Sequence, residues 1–232
     1  MSDAIVILQA RMASRRLPGK ALARLGTRSV LAHCLERLRV GAAAPVMLAT
    51  TSHPEDDLLE AEAAGMGVPV FRGSDCDVLG RFVAAAGSVG AGLIVRATAD
   101  NPAVDLDAPS RVLSVIRSSG ADHVSERGLP YGAAVEAVSF DALCRAEREA
   151  RMPDDREHVT TLIRRDVARF RPVEVDAPPE LRRSDLRLTI DTDQDLQFMR
   201  RLFERLGHVA YEPALAAFIA AADALAMEPA PA

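Results

Sequence analysis

The sequence predicts an α/β fold in which helices cover both faces of a largely parallel β-sheet. Short aliphatic segments alternate along the chain with longer segments of helical periodicity, and this alternation is typical of parallel strands joined by helices. The chain has 232 residues, of which 49% are hydrophobic and 26% charged, so it can bury a sizeable core and is neither disordered nor fibrous. We therefore expect a single domain over residues 1–232, with a frayed tail at 228–232.

The predicted strands are brief, continuous and rich in β-branched residues, as buried strands of a parallel sheet are. The first of them, Ile5-Val6-Ile7-Leu8, shows this pattern most clearly. The predicted strands cover residues 5–8, 46–50, 68–71, 93–98, 135–138 and 186–190.

The predicted helices follow from apolar residues at helical spacing and from capping residues. One helix lies between Ser52, which can cap it, and Gly65, which ends it; Asp193 is a natural N-cap for a later helix. The other predicted helices cover residues 30–39, 77–86, 107–119, 140–151, 156–165, 193–206 and 213–227.

The composition excludes several classes of protein. A net charge of -5 argues against a general nucleic-acid binder. No apolar run approaches the roughly 18 residues of a membrane span, and the amino terminus lacks a signal-peptide core. We therefore expect a cytoplasmic protein without a membrane partner. The cysteines, Cys34, Cys76 and Cys144, form no CxxC pair, which disfavours a zinc site or a disulfide framework.

The segment that follows the first predicted strand, residues 9–20, is a candidate phosphate-binding loop. Its cations are Arg11, Arg15, Arg16 and Lys20, and Lys20 is the single lysine among the 28 lysine and arginine residues of the chain. Several cations, together with a turn that lets the backbone come close to a ligand, are suited to binding a triphosphate. The loop is not a Walker A motif, because Ser14 stands where that motif has glycine. A solvated basic loop is the alternative that spacing leaves open.

Two aspartates follow predicted strands and are candidate metal ligands. Asp100 lies just beyond the strand at 93–98, and Asp191 directly follows the strand at 186–190. Parallel sheets bind ligands beyond the carboxyl ends of their strands, so the two carboxylates could share one Mg²⁺. For Asp100, the alternative is an Asx-turn or a helix cap.

A fourth polar segment, residues 154–160, contains Arg156, Glu157 and His158. From the residues alone it is an acidic helix start, and a single histidine without HExxH spacing is more often structural than catalytic.

Five ordered segments, which together span most of the chain, resemble the motifs of one family. They are residues 7–20, residues 71–79, residues 96–105, residues 156–160 and residues 187–196. The opening segment is the most specific. The family is that of the cytidylyltransferases, which includes the synthetases of CMP-activated sugar acids, and the most similar branch is the SpsF-like branch of spore coat polysaccharide biosynthesis.

The resemblance implies a Rossmann-like three-layer αβα nucleotidyltransferase (nucleotide-diphospho-sugar transferase) fold with a mostly parallel mixed sheet. It implies a Mg²⁺-dependent reaction in which a hydroxyl of a sugar, expected to be a sugar acid, attacks the α-phosphate of CTP and expels pyrophosphate. It also implies a homodimer. The nucleotide-binding residues that it implies are Leu8, Gln9, Ala10, Arg11, Ser14, Arg15, Lys20, Arg72 and Thr98. Of the catalytic residues that it implies, Arg15 and Lys20 act on the phosphates, and Asp100 shares the metal with Asp191. The implied sugar-binding residues are Glu136, Arg156, Glu157 and His158.

One departure from the branch is the order of residues in the segment 129–136, which is expected to shape the acceptor pocket, so the resemblance does not specify the sugar. Three alternatives remain: the same fold with another nucleotide or acceptor; a GT-A-type glycosyltransferase; and a non-catalytic binding module. The second would use Asp75 with Asp77, or Asp105 with Asp107, as a DxD metal motif.

Overall fold

The strands and helices alternate along most of the chain, as the aliphatic and periodic segments predict. The computed structural model describes residues 3–41, 43–207 and 214–227. Its strands are β1 (Ala4–Gln9), β2 (Arg24–Leu25), β3 (Arg28–Ser29), β4 (Val46–Thr51), β5 (Val70–Gly73), β6 (Leu93–Thr98), β7 (His123–Arg127), β8 (Glu136–Ser139) and β9 (Pro172–Asp176). Its helices are α1 (Val30–Val40), α2 (Asp57–Gly65), α3 (Val78–Ser88), α4 (Ala108–Ser119), α5 (Phe140–Glu149), α6 (Pro153–Glu157), α7 (Thr161–Arg165), α8 (Asp193–Arg205) and α9 (Leu215–Ala226).

The main sheet of the described residues has seven strands in the order β5-β4-β1-β6-β8-β7-β9. Strand β1 lies inside the sheet and pairs in parallel with β4 and β6. Strand β8 runs antiparallel to both β6 and β7, so the sheet is mixed but mostly parallel. This confirms the predicted fold class. Strands β2 and β3 form a separate hairpin.

The two faces of the sheet carry separate apolar layers. Alternate residues of β1 point to opposite faces: Val6 and Leu8 pack with α1, α4, α8 and α9, whereas Ile5 and Ile7 pack with α3, α5 and α7. Because both faces are covered, the strands contain near-continuous aliphatic runs. The polar residues therefore collect where the strands end.

Two predicted elements are wrong in type, and two strands were not predicted. Residues 186–190 are extended, but they make only two backbone hydrogen bonds to Tyr131 and one to Asp100 and form no strand of the sheet. The sequence did not predict strands β7 and β9, because polar residues interrupt both and neither contains an aliphatic run. The predicted helix at 156–165 is two helices, α6 and α7, separated by a turn in which Val159 has a φ of 52°.

Two predicted helix caps are also wrong. Ser52 caps no helix; instead a 3-10 turn at Pro54–Asp56 begins after His53, whose ring accepts a hydrogen bond from the amide of Glu55. The N-cap of α8 is Thr192 rather than Asp193, because Thr192 and Asp195 form a reciprocal capping box.

The predicted frayed tail, residues 228–232, and the first residue of the predicted helix at 213–227 lie outside the described residues. Among the helices that the structure describes, none is long and apolar enough to span a membrane.

Candidate active site

The site lies at the carboxyl ends of β1 and β6, which finish side by side. Gln9 and Thr98 are partners in the register of the two strands, and the amide of Ala99 donates to the carbonyl of Gln9 at 3.0 Å. The loop after β1 and the turn after β6 therefore leave the sheet at the same place. This is the position that parallel sheets use for ligands.

The loop that follows β1 is fixed by the buried carboxylate of Asp56. The Met12 amide donates to Asp56 Oδ1 at 2.7 Å. The other oxygen accepts from the Thr50 hydroxyl at 2.9 Å and from the Thr51 amide and hydroxyl at 3.1 and 2.5 Å. Burial opposes ionisation, but these hydrogen bonds outweigh it and hold the pKa of Asp56 below its ordinary value. The start of the loop is thus tied to the end of β4.

Replacement of Asp56 with asparagine is expected to lower the free energy of unfolding by about 3 kcal/mol, because buried donors lose a charged acceptor. Since the pKa of Asp56 is lowered in the folded state, its contribution is present above the ordinary carboxyl pKa of about 4 and is lost as the pH falls below that. Urea unfolding of both proteins at pH 7 and pH 3 measures this. A stability difference that is the same at both pH values would contradict the role of the charge.

The ammonium group of Lys20 joins the two aspartates that the sequence proposed as metal ligands. Lys20 Nζ donates to Asp100 Oδ2 at 2.8 Å, to Asp191 Oδ1 at 3.0 Å and to the carbonyl of Ile190 at 2.7 Å. Only 14% of the lysine side chain is exposed. The structure therefore brings three residues together that are far apart in the sequence.

Asp191 also contacts two arginines. Arg16 lies 2.8 Å from Asp191 Oδ1, and Arg187 donates to Oδ2 at 2.7 Å. Burial raises the pKa of Asp191, but Lys20, Arg187 and Arg16 outweigh it and keep the pKa below its ordinary value. Asp195 of the capping box accepts from the amide of Asp191 at 2.9 Å and so orients it. Asp191 is therefore an anion held in place by cations.

The oxygens around Lys20 Nζ fit a hard divalent cation. Two carboxylates and a backbone carbonyl converge on one positively charged atom, and Mg²⁺ and Mn²⁺ prefer such oxygen donors. Within the described residues, no group of three or more His, Cys, Asp or Glu side chains forms a metal cluster. A metal held by Asp100 and Asp191 would need further ligands from a substrate and from water.

Gly132 lies directly against this site from the connection between β7 and β8. It has a φ of 97°, and a Cβ atom there would stand 2.9 Å from both the amide nitrogen and Cβ of Thr189. The Thr189 hydroxyl donates to the carbonyl of Asp100 at 3.3 Å. A side chain at position 132 would push this segment away from Asp100.

Gly132→Ala is expected to be more destabilising than Gly128→Ala by about 1 kcal/mol or more, and to lower turnover. Both glycines have similar φ values, 97° and 94°, so the backbone strain, on the order of 1–2 kcal/mol, is common to both. A Cβ at Gly128 would meet only the flexible side chain of Arg182 at 3.2 Å. Chemical unfolding and turnover of the two variants separate the effects. Equal losses in both would show that the contact with Thr189 has no importance.

The structure places the other predicted nucleotide residues around the same opening. The Oε1 atom of Gln9 is buried and has no hydrogen-bond partner in the described part of the chain. Ser14 accepts weakly from the amide of Leu17, at 3.5 Å, and Arg15 is exposed. Thr98 accepts from the Asn101 side chain at 2.8 Å. Leu8 and Ala10 are buried in the core, so their side chains support the loop from below.

Arg72 lies away from Lys20 and contacts the connection between β4 and α2. It donates to the carbonyls of Thr51 and His53 at 2.8 and 2.7 Å and pairs with Asp57 and Glu60 at 2.5 and 2.7 Å. These hydrogen bonds and charges raise the pKa of the guanidinium. In this structure Arg72 holds together the residues between β4 and α2. Its predicted role in nucleotide binding stays a prediction.

Arg11 connects the loop to the opposite side of the opening. Its guanidinium donates to Glu157 Oε1 at 3.0 Å and to Asp75 Oδ1 at 3.4 Å. Arg156 is tied to α3 and α5, with bonds of 3.0 Å to Asp77 and to Glu147. Of the predicted sugar-binding residues, then, Glu157 faces the loop and Arg156 holds α6 in place.

The other two predicted sugar-binding residues differ in exposure. Glu136 accepts from Arg96 at 3.0 Å and from the Thr160 hydroxyl at 2.9 Å, and His123 lies 3.5 Å away. Burial opposes its charge, but these neighbours keep the pKa of Glu136 far below its ordinary value. His158 is more than half exposed, with Asp154 at 3.7 Å.

Sequence reasoning missed two residues of this site: Arg187, which pairs with Asp191, and Asp56, which anchors the loop. It named Arg16 as a cation of the phosphate-binding loop but did not predict its contact with Asp191. Arg187 lies four residues before Asp191 inside a recognised motif, so its position was the available signal. Nothing in the spacing of Asp56 indicates its contact with the Met12 amide. The alternative DxD motifs are engaged elsewhere: Asp77 caps α3, and Asp105 is buried against Arg111 at 2.7 Å.

A mixed, mostly parallel sheet with a basic loop after its first strand and aspartates at the strand ends is the framework of a nucleotidyltransferase. The profile of the family described as Cytidylyltransferase matches residues 5–218, and the chain belongs to that family. Its fold is that of the cytidylyltransferase from Leptospira borgpetersenii serovar Hardjo-bovis, with a TM-score of 0.89, 27% identity, and coverage of 97% of this chain and 96% of that one.

Two proteins similar in sequence carry more specific names. The spore coat polysaccharide biosynthesis protein SpsF of Bacillus subtilis is 36% identical over 213 residues, which cover 89% of each chain. A 3-deoxy-manno-octulosonate cytidylyltransferase of Yersinia enterocolitica is 31% identical over 142 residues, which cover 60% of this chain and 56% of that protein. The first similarity extends over nearly the whole chain, and the second is partial.

Proposed function

We propose that the protein transfers CMP from CTP to a hydroxyl group of a sugar acid, for the biosynthesis of a surface polysaccharide. The observation that carries the proposal is the convergence of Lys20, Asp100 and Asp191 beneath an anchored basic loop. The chain belongs to the cytidylyltransferases, and the names of its SpsF and 3-deoxy-manno-octulosonate relatives indicate the pathway and acceptor class.

In the proposed reaction the acceptor oxygen attacks the α-phosphorus of CTP. A new phosphorus–oxygen bond forms, the bond to the β-phosphate bridge breaks, pyrophosphate leaves, and the hydroxyl proton passes to solvent. Such transfers depend mainly on positioning and on stabilisation of charge. Lys20 and the exposed cation Arg15 would act on the phosphates, and the unpartnered Oε1 of Gln9 offers an acceptor to the nucleotide.

Mg²⁺ is the proposed cofactor, and Asp100 and Asp191 would hold it. When bound, the ion would neutralise negative charge on the phosphate oxygens. The two aspartates alone leave most of its ligand positions to phosphate and water, which is the usual arrangement for Mg²⁺ in nucleotide enzymes.

The proposed acceptor side is lined by Glu136, Arg156, Glu157 and His158. Two arginines lie beside Glu136: Arg96 at 3.0 Å, with only 18% of its side chain exposed, and Arg164 at 3.5 Å, which is more than half exposed. A carboxylate of the acceptor would find cations here, which supports a sugar acid over a neutral sugar.

The direct test is pyrophosphate release with Mg²⁺, each of the four nucleoside triphosphates and a panel of acidic and neutral sugars. Release only with CTP and an acidic sugar is expected. Release confined to GTP would overturn the assignment of the nucleotide, and release only with neutral sugars would overturn that of the acceptor. No release with any pair would overturn both.

We also propose a homodimer and a cytoplasmic location, both from the family resemblance and from the use of CTP. Light scattering after gel filtration should give twice the chain mass of 24.8 kDa. A mass of one chain at micromolar concentration would contradict the dimer.

A further inference from the structure

The position of Lys20 bears on the order in which the ligands of this site bind. Its ammonium group lies between Asp100 and Asp191, at 2.8 and 3.0 Å, with the Ile190 carbonyl at 2.7 Å. These are the oxygens that would hold the metal. The lysine ammonium group therefore stands between the oxygens that are the candidate metal ligands.

The charges around Asp191 favour the lysine ammonium group over a divalent ion at this position. Asp191 is only 8% exposed, and its oxygens also contact Arg16 and Arg187 at 2.8 and 2.7 Å. Three positive groups around one carboxylate repel a further cation, and in a partly buried site that repulsion is weakly screened. Asp195, which pairs with Arg187 at 2.9 Å, offsets one of these positive charges, but the described residues hold no group of three or more His, Cys, Asp or Glu side chains that could bind a metal.

We propose that Lys20 occupies the metal site of the free protein, so that a divalent cation binds there only when a triphosphate draws the ammonium group away from Asp100 and Asp191. The triphosphate supplies what the site lacks. Its negative charges provide a new partner for Lys20 and Arg16, and its oxygens complete the ligands of the ion. Lys20 thus exchanges carboxylate for phosphate as the metal enters. This inference rests on the proposed metal-dependent transfer.

Manganese binding to the nucleotide-free protein tests the exchange. Free Mn²⁺ is measured by electron paramagnetic resonance for wild type, Lys20→Met and Arg15→Met. Arg15→Met removes the same charge from the same loop at an exposed position that contacts neither Asp100 nor Asp191. Lys20→Met is expected to bind Mn²⁺ about tenfold more tightly than wild type or more, since a unit charge within 3 Å is removed, whereas Arg15→Met should match wild type.

The tightened binding should disappear in the double variant Lys20→Met with Asp191→Asn, which would assign it to this site. Equal Mn²⁺ affinity in wild type and Lys20→Met would overturn the proposal. So would an equal gain in Arg15→Met, which would attribute the effect to net charge.

A second measurement needs no substitution, because Lys20 is the only lysine of the chain. Protein grown with ¹³C,¹⁵N-lysine gives one ε-methylene signal in an NMR spectrum, and that signal reports on Lys20. We expect millimolar Mg²⁺ alone to leave the signal in place, and Mg²⁺ with inorganic tripolyphosphate to shift it. A shift with Mg²⁺ alone would overturn the proposal.

The two proposals fail separately. Neither measurement uses CTP or a sugar, so a lysine exchange without cytidylyl transfer would leave this inference standing and remove the proposed function. If the wild-type protein turns over CTP but Lys20→Met binds Mn²⁺ with unchanged affinity, the proposed function stands and this inference fails.

Discussion

Asp100→Ala is expected to lower turnover by about a thousandfold or more while changing the unfolding temperature little. A metal that stabilises transition-state charge contributes several kcal/mol, and each 1.4 kcal/mol or so corresponds to a factor of ten. Asp100 is the cleaner of the two aspartates to replace. One quarter of its side chain is exposed, and Lys20 keeps Asp191 and the Ile190 carbonyl as partners when Asp100 is lost.

The matched control is Asp107→Ala. Asp107 is exposed, lies seven residues further along the chain, and makes no side-chain capping bond to α4. Its replacement should leave turnover within about twofold of wild type, as is usual for surface sites. Turnover is measured as pyrophosphate release, and stability by thermal unfolding. Wild-type turnover in Asp100→Ala would remove this residue from the metal site.

Asp191→Ala should abolish turnover as well, but with a larger loss of stability. It removes the shared partner of Lys20, Arg16 and Arg187, and cations left without their anion in a partly buried site are costly. The difference between the two variants in unfolding temperature therefore reports how much of the role of Asp191 is structural.

Lys20→Arg is expected to lower turnover by about a hundredfold or more, although the charge is kept. Lysine has a compact ammonium group on a flexible stem, whereas arginine has a planar group that is larger and fixed in shape. The space at Lys20 Nζ is bounded by three oxygens within 3.0 Å, and only 14% of the side chain is exposed. Loss of one well-placed donor of this kind costs about 10²–10³ in turnover.

Lys20→Met provides the comparison. If position matters more than charge, Lys20→Arg should lose nearly as much turnover as Lys20→Met. Arg117→Lys, at an exposed pair with Asp3 far from the site, is the control for exchanging these two side chains and should be active. Near-normal activity of Lys20→Arg would show that any cation suffices at this position.

The sequence predicted those strands of the sheet that consist of consecutive aliphatic residues. Strand β1 is visible because both of its faces are buried, so that Ile5 to Leu8 form one apolar run. Strand β7 was missed because Val124 is its one aliphatic residue, and β9 because its alternation is confined to Val173 and Val175 on either side of Glu174. Residues 186–190 alternate apolar and polar side chains as a strand does, but they have no sheet partner, since Tyr131 takes up the backbone groups of Leu186 and Leu188.

For the site, the sequence predicted which residues lie at the same edge of the sheet, but not the contacts between their side chains. Asp100 and Asp191 could be placed at one edge because both follow extended segments that end near each other. Asp100 lies 80 residues and Asp191 lies 171 residues from Lys20 in the sequence. No spacing pattern encodes side-chain contacts over such separations. The same holds for Asp56, whose hydrogen bond to Met12 crosses 44 residues.

In the proposed reaction the acceptor hydroxyl attacks the α-phosphate of CTP. The most direct measurement follows the label from [α-³²P]CTP and, separately, from [γ-³²P]CTP in the presence of Mg²⁺ and an acidic sugar. The α label is expected in the nucleotide-linked sugar and the γ label in pyrophosphate. Transfer of the γ label to the sugar, or its release as orthophosphate, would contradict it.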